Sequence, residues 1–138
     1  TYIGSVIESS PHIPNKLLFI SHTSVDDDFV TQLAHQIEEL GFETWFDHRD
    51  VLTGKNWIDT VGEALTKANE MILVATPEAL QSEIVRAEWR SFFNMKKPIH
   101  LLKVKPCNLE FPLDTLQWLD FSTNTEEAFK KLSKSLRS

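Results

Sequence analysis

The stretch Ser82 to Trp89 reads Ser-Glu-Ile-Val-Arg-Ala-Glu-Trp, and it combines a helix start with a carboxylate that could do chemistry. Ser82 is a good N-cap, because its hydroxyl can accept from an otherwise unpaired backbone N–H two or three residues on. Glu83 then falls in the first turn, where negative charge suits the helix dipole. Ile84, Val85 and Trp89 are apolar, and Glu88 lies four residues after Ile84, on the same helical face as an apolar side chain. A lone helical glutamate is ordinarily a solvated surface group. Only the surrounding elements can make Glu88 more than that.

Other candidate chemistries are quickly tested. Ser21 and His22 close an apolar run, but they are sequence neighbours and no nucleophile elbow surrounds them, so a Ser-His-acid hydrolase is not indicated. Asp26, Asp27 and Asp28 read as residues of a helix's first turn. A phosphoacceptor receiver would place acids directly after its first strand, to hold Mg²⁺, and an aspartate after its third. Here Ser21, His22 and Thr23 follow the first strand and Thr76 follows the third. The glycines are Gly4, Gly41, Gly54 and Gly62, so the Gly-x-Gly-x-x-Gly dinucleotide fingerprint is missing. One cysteine, Cys107, forms no internal disulfide and no Cys-based zinc site. No metal site is expected.

The 138 residues suffice for one domain with a real core, and 41% hydrophobic with 25% charged residues is ordinary for a globular chain. A net charge of −6 argues against a large electrostatic nucleic-acid footprint, which needs clustered Lys and Arg. Lys130, Lys131, Lys134 and Arg137 read as the solvated face of a terminal helix, and no nucleic-acid partner is expected. No apolar run reaches the roughly 18 residues needed to span a membrane. No signal peptide opens the chain, and it begins at Thr1, so a cytoplasmic piece of a longer protein is expected.

The elements follow in order. Residues 1–15, with Gly4, Ser5, Ser9, Ser10, Pro11 and Pro14 among only scattered apolar residues, read as a linker or N-terminal arm, and 16–138 as the domain. Lys16–Ser21 is a nearly continuous apolar run, as in a strand buried on both faces. Phe29, Leu33, Ile37 and Leu40 recur at helical spacing, and Gly41 supplies the stop. Phe42–Phe46 is a second strand. Asp47–Asn56 is a polar loop. Trp57, Ile58, Val61, Ala64, Leu65 and Ala68 mark a second helix. Met71–Ala75 is a third strand, broken by Thr76-Pro77, and a short turn leads to the Ser82 helix, which runs to about Asn94. Ile99–Val104 is a fourth strand. Pro106–Leu116 is irregular, Trp118–Phe121 is a short fifth strand, and Asn124–Leu136 is a closing helix. Alternation of this kind predicts an α/β fold, a flavodoxin-like five-stranded parallel sheet of order 2-1-3-4-5 with helices on both faces. Ligands of such sheets bind beyond the carboxyl ends of the strands, at the switch between strands 1 and 3. The loop after strand 1 and the Ser82 helix both adjoin that crevice.

Three segments together carry a resemblance: Leu18-Phe19-Ile20-Ser21-His22, then Trp45-Phe46-Asp47 with Leu52-x-Gly54-x-x-Trp57, then Ser82 with Glu88 six residues later. In order and spacing the chain resembles the TIR (Toll/interleukin-1 receptor) domain family, in its bacterial, NAD-consuming style, from about Lys16 to Phe121. The stretch from Phe111-Pro112 to Trp118 is similar to the family's third, looser box. The resemblance implies a NAD⁺ glycohydrolase or cyclase that cleaves the nicotinamide–ribose bond, with Glu88 at the catalytic position and NAD⁺ as substrate rather than prosthetic group. It implies that Ser21 and His22 line the nicotinamide side. Asp47, Gly54, Lys55 and Trp57 match the loop that closes over the dinucleotide and touches neighbouring subunits. Ser82 and Ile84 flank the glutamate, with Ile84 where many catalytic members carry an aromatic. Further implications are self-association with other TIR domains, in the extreme as a filament, a sensor domain elsewhere in the chain, and an antiphage role in innate immunity. The alternative is a non-catalytic TIR scaffold, in which the same loop is a binding surface.

Overall fold

The computed structural model describes residues 16–46 and 54–137, excepting the side chains of 54–57. The expected arm at 1–15 and the segment 47–53, including Asp47, lie outside the described residues.

Five strands form one parallel sheet: β1 (Leu17–Ser21), β2 (Glu43–Phe46), β3 (Glu70–Ala75), β4 (Ile99–Lys103) and β5 (Trp118–Asp120). Their order is β2-β1-β3-β4-β5, the expected flavodoxin-like arrangement. The helices are α1 (Asp27–Glu39), α2 (Gly54–Lys67), α3 (Pro77–Gln81), α4 (Glu83–Asn94) and α5 (Thr125–Arg137).

Strand alternation divides the core in two. Leu18, Ile20, Ile72, Val74 and Leu102 face α1 and α5, where Val30, Leu33, Ile37, Ala128, Leu132 and Leu136 meet them. Phe19, Met71, Leu73, Ala75 and Leu101 face the other way, against Val61, Ala64, Val85, Trp89 and Phe92 of α2 and α4. β1 and β3 are central and covered on both faces, which is why they read as unbroken apolar runs. Each such side chain contributes roughly 1.5–3 kcal/mol by leaving water.

At the amino end of the sheet, Glu70 joins neighbouring strands. Its carboxylate meets Lys16 Nζ at 2.9 Å and His100 Nε2 at 2.7 Å. Lys16 Nζ also donates to the Leu136 carbonyl at 2.8 Å, tying down the end of α5. Lys97 closes α2 by donating to the carbonyls of Leu65, Thr66 and Ala68 at 3.2, 2.9 and 2.8 Å.

Four details depart from the sequence expectations. The turn expected after Thr76-Pro77 is a short helix, α3, because the Thr76 hydroxyl accepts from Ala79 N–H and Pro77 occupies the first turn, where no donor is required. Asp26 is not in the first turn of α1. It ends a 3-10 turn, Ser24–Asp26, that carries its side chain inward. The helix expected from Trp57 begins at Gly54, which places Gly54, Lys55 and Asn56 in α2 rather than in the loop. Ile58, expected on the inner face of that helix, is 63% exposed. It lies in the opening turns of α2, towards the carboxyl end of the sheet and short of the apolar contacts that cover Val61 and Ala64.

Candidate active site

The α4 residues Val85, Glu88, Trp89 and Phe92 form one buried stripe at helical spacing. Three are apolar and belong to the core; the fourth is a carboxyl side chain only 3% exposed. Glu88 thus occupies a position that packing alone would give to a leucine. Burying such a group is costly unless hydrogen bonds replace its hydration.

Ser21 meets that need at one of the two carboxyl oxygens. It is the last residue of β1, and alternation from Phe19 turns it towards α4. Its Oγ donates to Glu88 Oε1 at 2.6 Å, and the bond is buried. The helix bearing Glu88 is fixed by Ser82, whose hydroxyl accepts from Val85 N–H at 3.2 Å. Ser82 also ends α3, its own N–H donating to the Ala79 carbonyl at 3.1 Å. One residue therefore closes one helix and opens the next. Ile84, half-buried, stands beside the stripe rather than in it.

His22 follows Ser21 but points elsewhere. Its ring stands edge-on to Phe46 at 6.0 Å, and its Nε2 lies 2.7 Å from Asp27 Oδ1. Because a carboxylate only accepts, Nε2 carries the proton in this bond. The His22 side chain is 2% exposed, and its Nδ1 has no hydrogen-bond partner among the described residues. Ser21 and Glu88 are thus brought together, whereas the His22 ring is directed to α1 and the end of β2. Gly54, Lys55 and Trp57 belong to the first turns of α2, and Asp47 lies outside the described residues.

Two buried residues of this region were missed in the sequence. Asp26, 5% exposed, accepts from the Thr76 hydroxyl at 3.0 Å and the Thr23 hydroxyl at 3.3 Å. Thr76 is fully buried after β3. Asp26 sits in a run of three aspartates and Thr76 before a proline, so local pattern masks both. Among the described residues the buried polar side chains are Ser21, His22, Asp26, Thr76 and Glu88. Ser21, His22, Asp26 and Thr76 lie at or just beyond the carboxyl ends of β1 and β3, and Glu88 lies on α4, the second helix after β3. This is the switch point at which a sheet of this order holds its ligands. No cluster of three or more metal-ligating side chains occurs among the described residues, and none of the described helices is long and apolar enough to cross a membrane.

A parallel five-stranded domain with a buried carboxyl–hydroxyl pair at its switch point is thus defined. A model of the TIR domain family matches residues 18–133, and the chain belongs to that family. It is 32% identical over 75 residues to the 2' cyclic ADP-D-ribose synthase BtTIR of Bacteroides thetaiotaomicron, covering 54% of this chain and 24% of that protein. It is 26% identical over 93 residues to the 2' cyclic ADP-D-ribose synthase AbTIR of Acinetobacter baumannii, covering 67% of this chain and 32% of that protein. The match therefore spans a third or less of each relative's length. Among solved structures, the TIR domain of the Toll-related receptor TRR-2 from Hydra magnipapillata superposes with a TM-score of 0.75 at 19% identity, covering 88% of this chain and 98% of that one. A prokaryotic SEFIR domain gives 0.68 at 14% identity, covering 89% and 99%. At those identities the likeness is one of fold.

Proposed function

We propose that this chain cleaves the bond between nicotinamide and ribose in NAD⁺, with Glu88 as the catalytic carboxylate. The observation that carries the reading is Glu88 itself, held by Ser21 Oγ at 2.6 Å in an otherwise apolar stripe at the switch point. The names of the two bacterial relatives support it, since cyclic ADP-ribose has the skeleton left when NAD⁺ loses nicotinamide.

The chemistry suits a single carboxylate. As the C1′–N bond breaks, its electron pair moves to the pyridinium nitrogen, and nicotinamide departs neutral without a general acid. The ribose becomes oxocarbenium-like, and a nearby carboxylate stabilises that charge. An oxygen nucleophile then bonds to C1′ and loses its proton. Water gives ADP-ribose, and a hydroxyl of the same molecule gives a cyclic ADP-ribose, lighter by one water. Ser21 orients Glu88. Asp47, Gly54, Lys55 and Trp57 contact the dinucleotide from the segment after β2, and His22, Ser82 and Ile84 border the site. Self-association with other TIR domains completes the site and switches it on. A sensor domain in a longer cytoplasmic protein drives that association, in an antiphage role.

The test is nicotinamide release from NAD⁺ by protein clustered on a scaffold, beside Glu88→Ala and Glu88→Gln. Release lost in both variants, while they stay folded, supports the reading. No release from clustered wild type rejects it in favour of an interaction module. Release that persists in both variants removes Glu88 from the chemistry.

A further inference from the structure

We infer that Asp26 and Thr76 form a positioning clasp that holds Glu88 against Ser21, an inference that rests on the role proposed for Glu88. Asp26 follows β1 and Thr76 follows β3, so their 3.0 Å hydrogen bond joins the two segments that flank the switch point across 50 residues of sequence. The Thr76 hydroxyl works in both directions. It donates to Asp26 and accepts from Ala79 N–H at 3.2 Å, which starts α3. The end of α3 is Ser82, the cap of α4, and α4 carries Glu88 back to Ser21 at 2.6 Å.

The path is closed. From Ser21 the chain runs to Asp26, crosses a hydrogen bond to Thr76, follows two capped helices to Glu88, and crosses a second hydrogen bond to Ser21. Each crossing therefore sets the geometry of the other. A simple fastener would not need these residue types, because the rest of the core is joined by apolar contacts, and a buried carboxyl group is costly there. Catalytic side chains tolerate little misplacement, and a displacement of about 1 Å can cost a hundredfold in rate. Asp26 and Thr76 act through Glu88 and Ser21 and need not touch substrate.

The test uses Thr76→Val, which keeps the shape and removes the hydroxyl, and Thr76→Ser, which restores it. For nicotinamide release by clustered protein, the clasp predicts about a tenfold fall in kcat for Thr76→Val with KM within about twofold. Thr76→Ser recovers most of that loss. Thr76→Val added to Ser21→Ala slows the enzyme little further, because both substitutions loosen the same pair. Unaltered kcat, no recovery by Ser, or fully multiplicative losses overturn the clasp. Should Thr76→Val not fold, Thr76→Ala carries the same comparison without branched bulk. If clustered wild type releases no nicotinamide, the reading of function falls, and the clasp is judged by the ¹³C resonance of the Glu88 carboxyl group at neutral pH. A displacement in Thr76→Val at least half that in Ser21→Ala supports it, and an unmoved resonance overturns it.

Discussion

Removing one hydroxyl, with Ser21→Ala, should be felt both in stability and in chemistry. The hydroxyl donates to a carboxyl oxygen at 2.6 Å within the protein. A buried hydrogen bond to a charged group contributes about 1.5–3 kcal/mol, and loss of the donor strips Glu88 Oε1 of that interaction without returning it to water. For a domain of this size each kcal/mol lowers Tm by about 3–5 °C, so Ser21→Ala should melt about 5–15 °C below wild type. Glu88→Leu replaces the carboxyl group by a side chain suited to the stripe of Val85, Trp89 and Phe92. In that background Ser21→Ala should cost well under 1 kcal/mol, because no carboxyl group remains to be stranded. Urea unfolding of wild type, both single variants and the double variant gives the coupling energy directly, expected at about 1–2 kcal/mol. Costs that add to within about 0.5 kcal/mol would show that Ser21 does not support Glu88, and the account of the site would fail. In the activity assay Ser21→Ala should slow nicotinamide release about tenfold, equivalent to about 1.4 kcal/mol of lost orientation.

Acid should act on the other end of the sheet. Burial pushes the Glu70 carboxyl group up, but hydrogen bonds and charge from His100 and Lys16 outweigh this and hold it below its ordinary 4.5. Its stabilising contribution is therefore complete above that ordinary value and is lost as pH falls through the lowered one. Urea melts should show wild type more stable than Glu70→Gln at about pH 7, with the gap narrowing as pH falls below the ordinary carboxyl range; a gap that does not narrow with falling pH refutes the assignment. Lys97→Met should keep the contact with Phe92 but leave the carbonyls of Leu65, Thr66 and Ala68 without their cation, at a cost of about 1–3 kcal/mol in thermal or urea unfolding.

The sheet was legible because its central strands carry the mark of burial on both faces. Leu17–Ser21 and Met71–Ala75 have no alternation to misread, and the interleaved amphipathic helices left one natural strand order. Ser82 was legible as a cap because its role is local. Glu88 carried a signal beyond its resemblance to a catalytic position: it continues the Val85, Trp89 and Phe92 stripe. Asp26 and Thr76 were hidden for a different reason. Each has a local explanation, as one of three helix-opening aspartates and as a strand breaker before Pro77. Their bond to each other spans 50 positions, a distance at which single-sequence pattern is silent. The direction of His22 was likewise decided by tertiary contact, with Phe46 and Asp27 drawing its ring away from the face that Ser21 shares with Glu88.

The shared use of Ser82 has a consequence for how chains of this kind can diverge. Because one residue ends α3 and caps α4, the stretch from Thr76 to Glu88 has no slack in which to absorb an extra residue. A single insertion between Ser82 and Glu88 would turn the helix by about 100°. Either Glu88, Trp89 and Phe92 would turn away from Ser21 and the core together, or Ser82 would be turned out of its place between the two helices. Substitutions in this stretch can be tolerated one at a time, but insertions and deletions cannot. Its length is thus a stricter criterion than its composition for recognising, or grafting, the same site in another sequence.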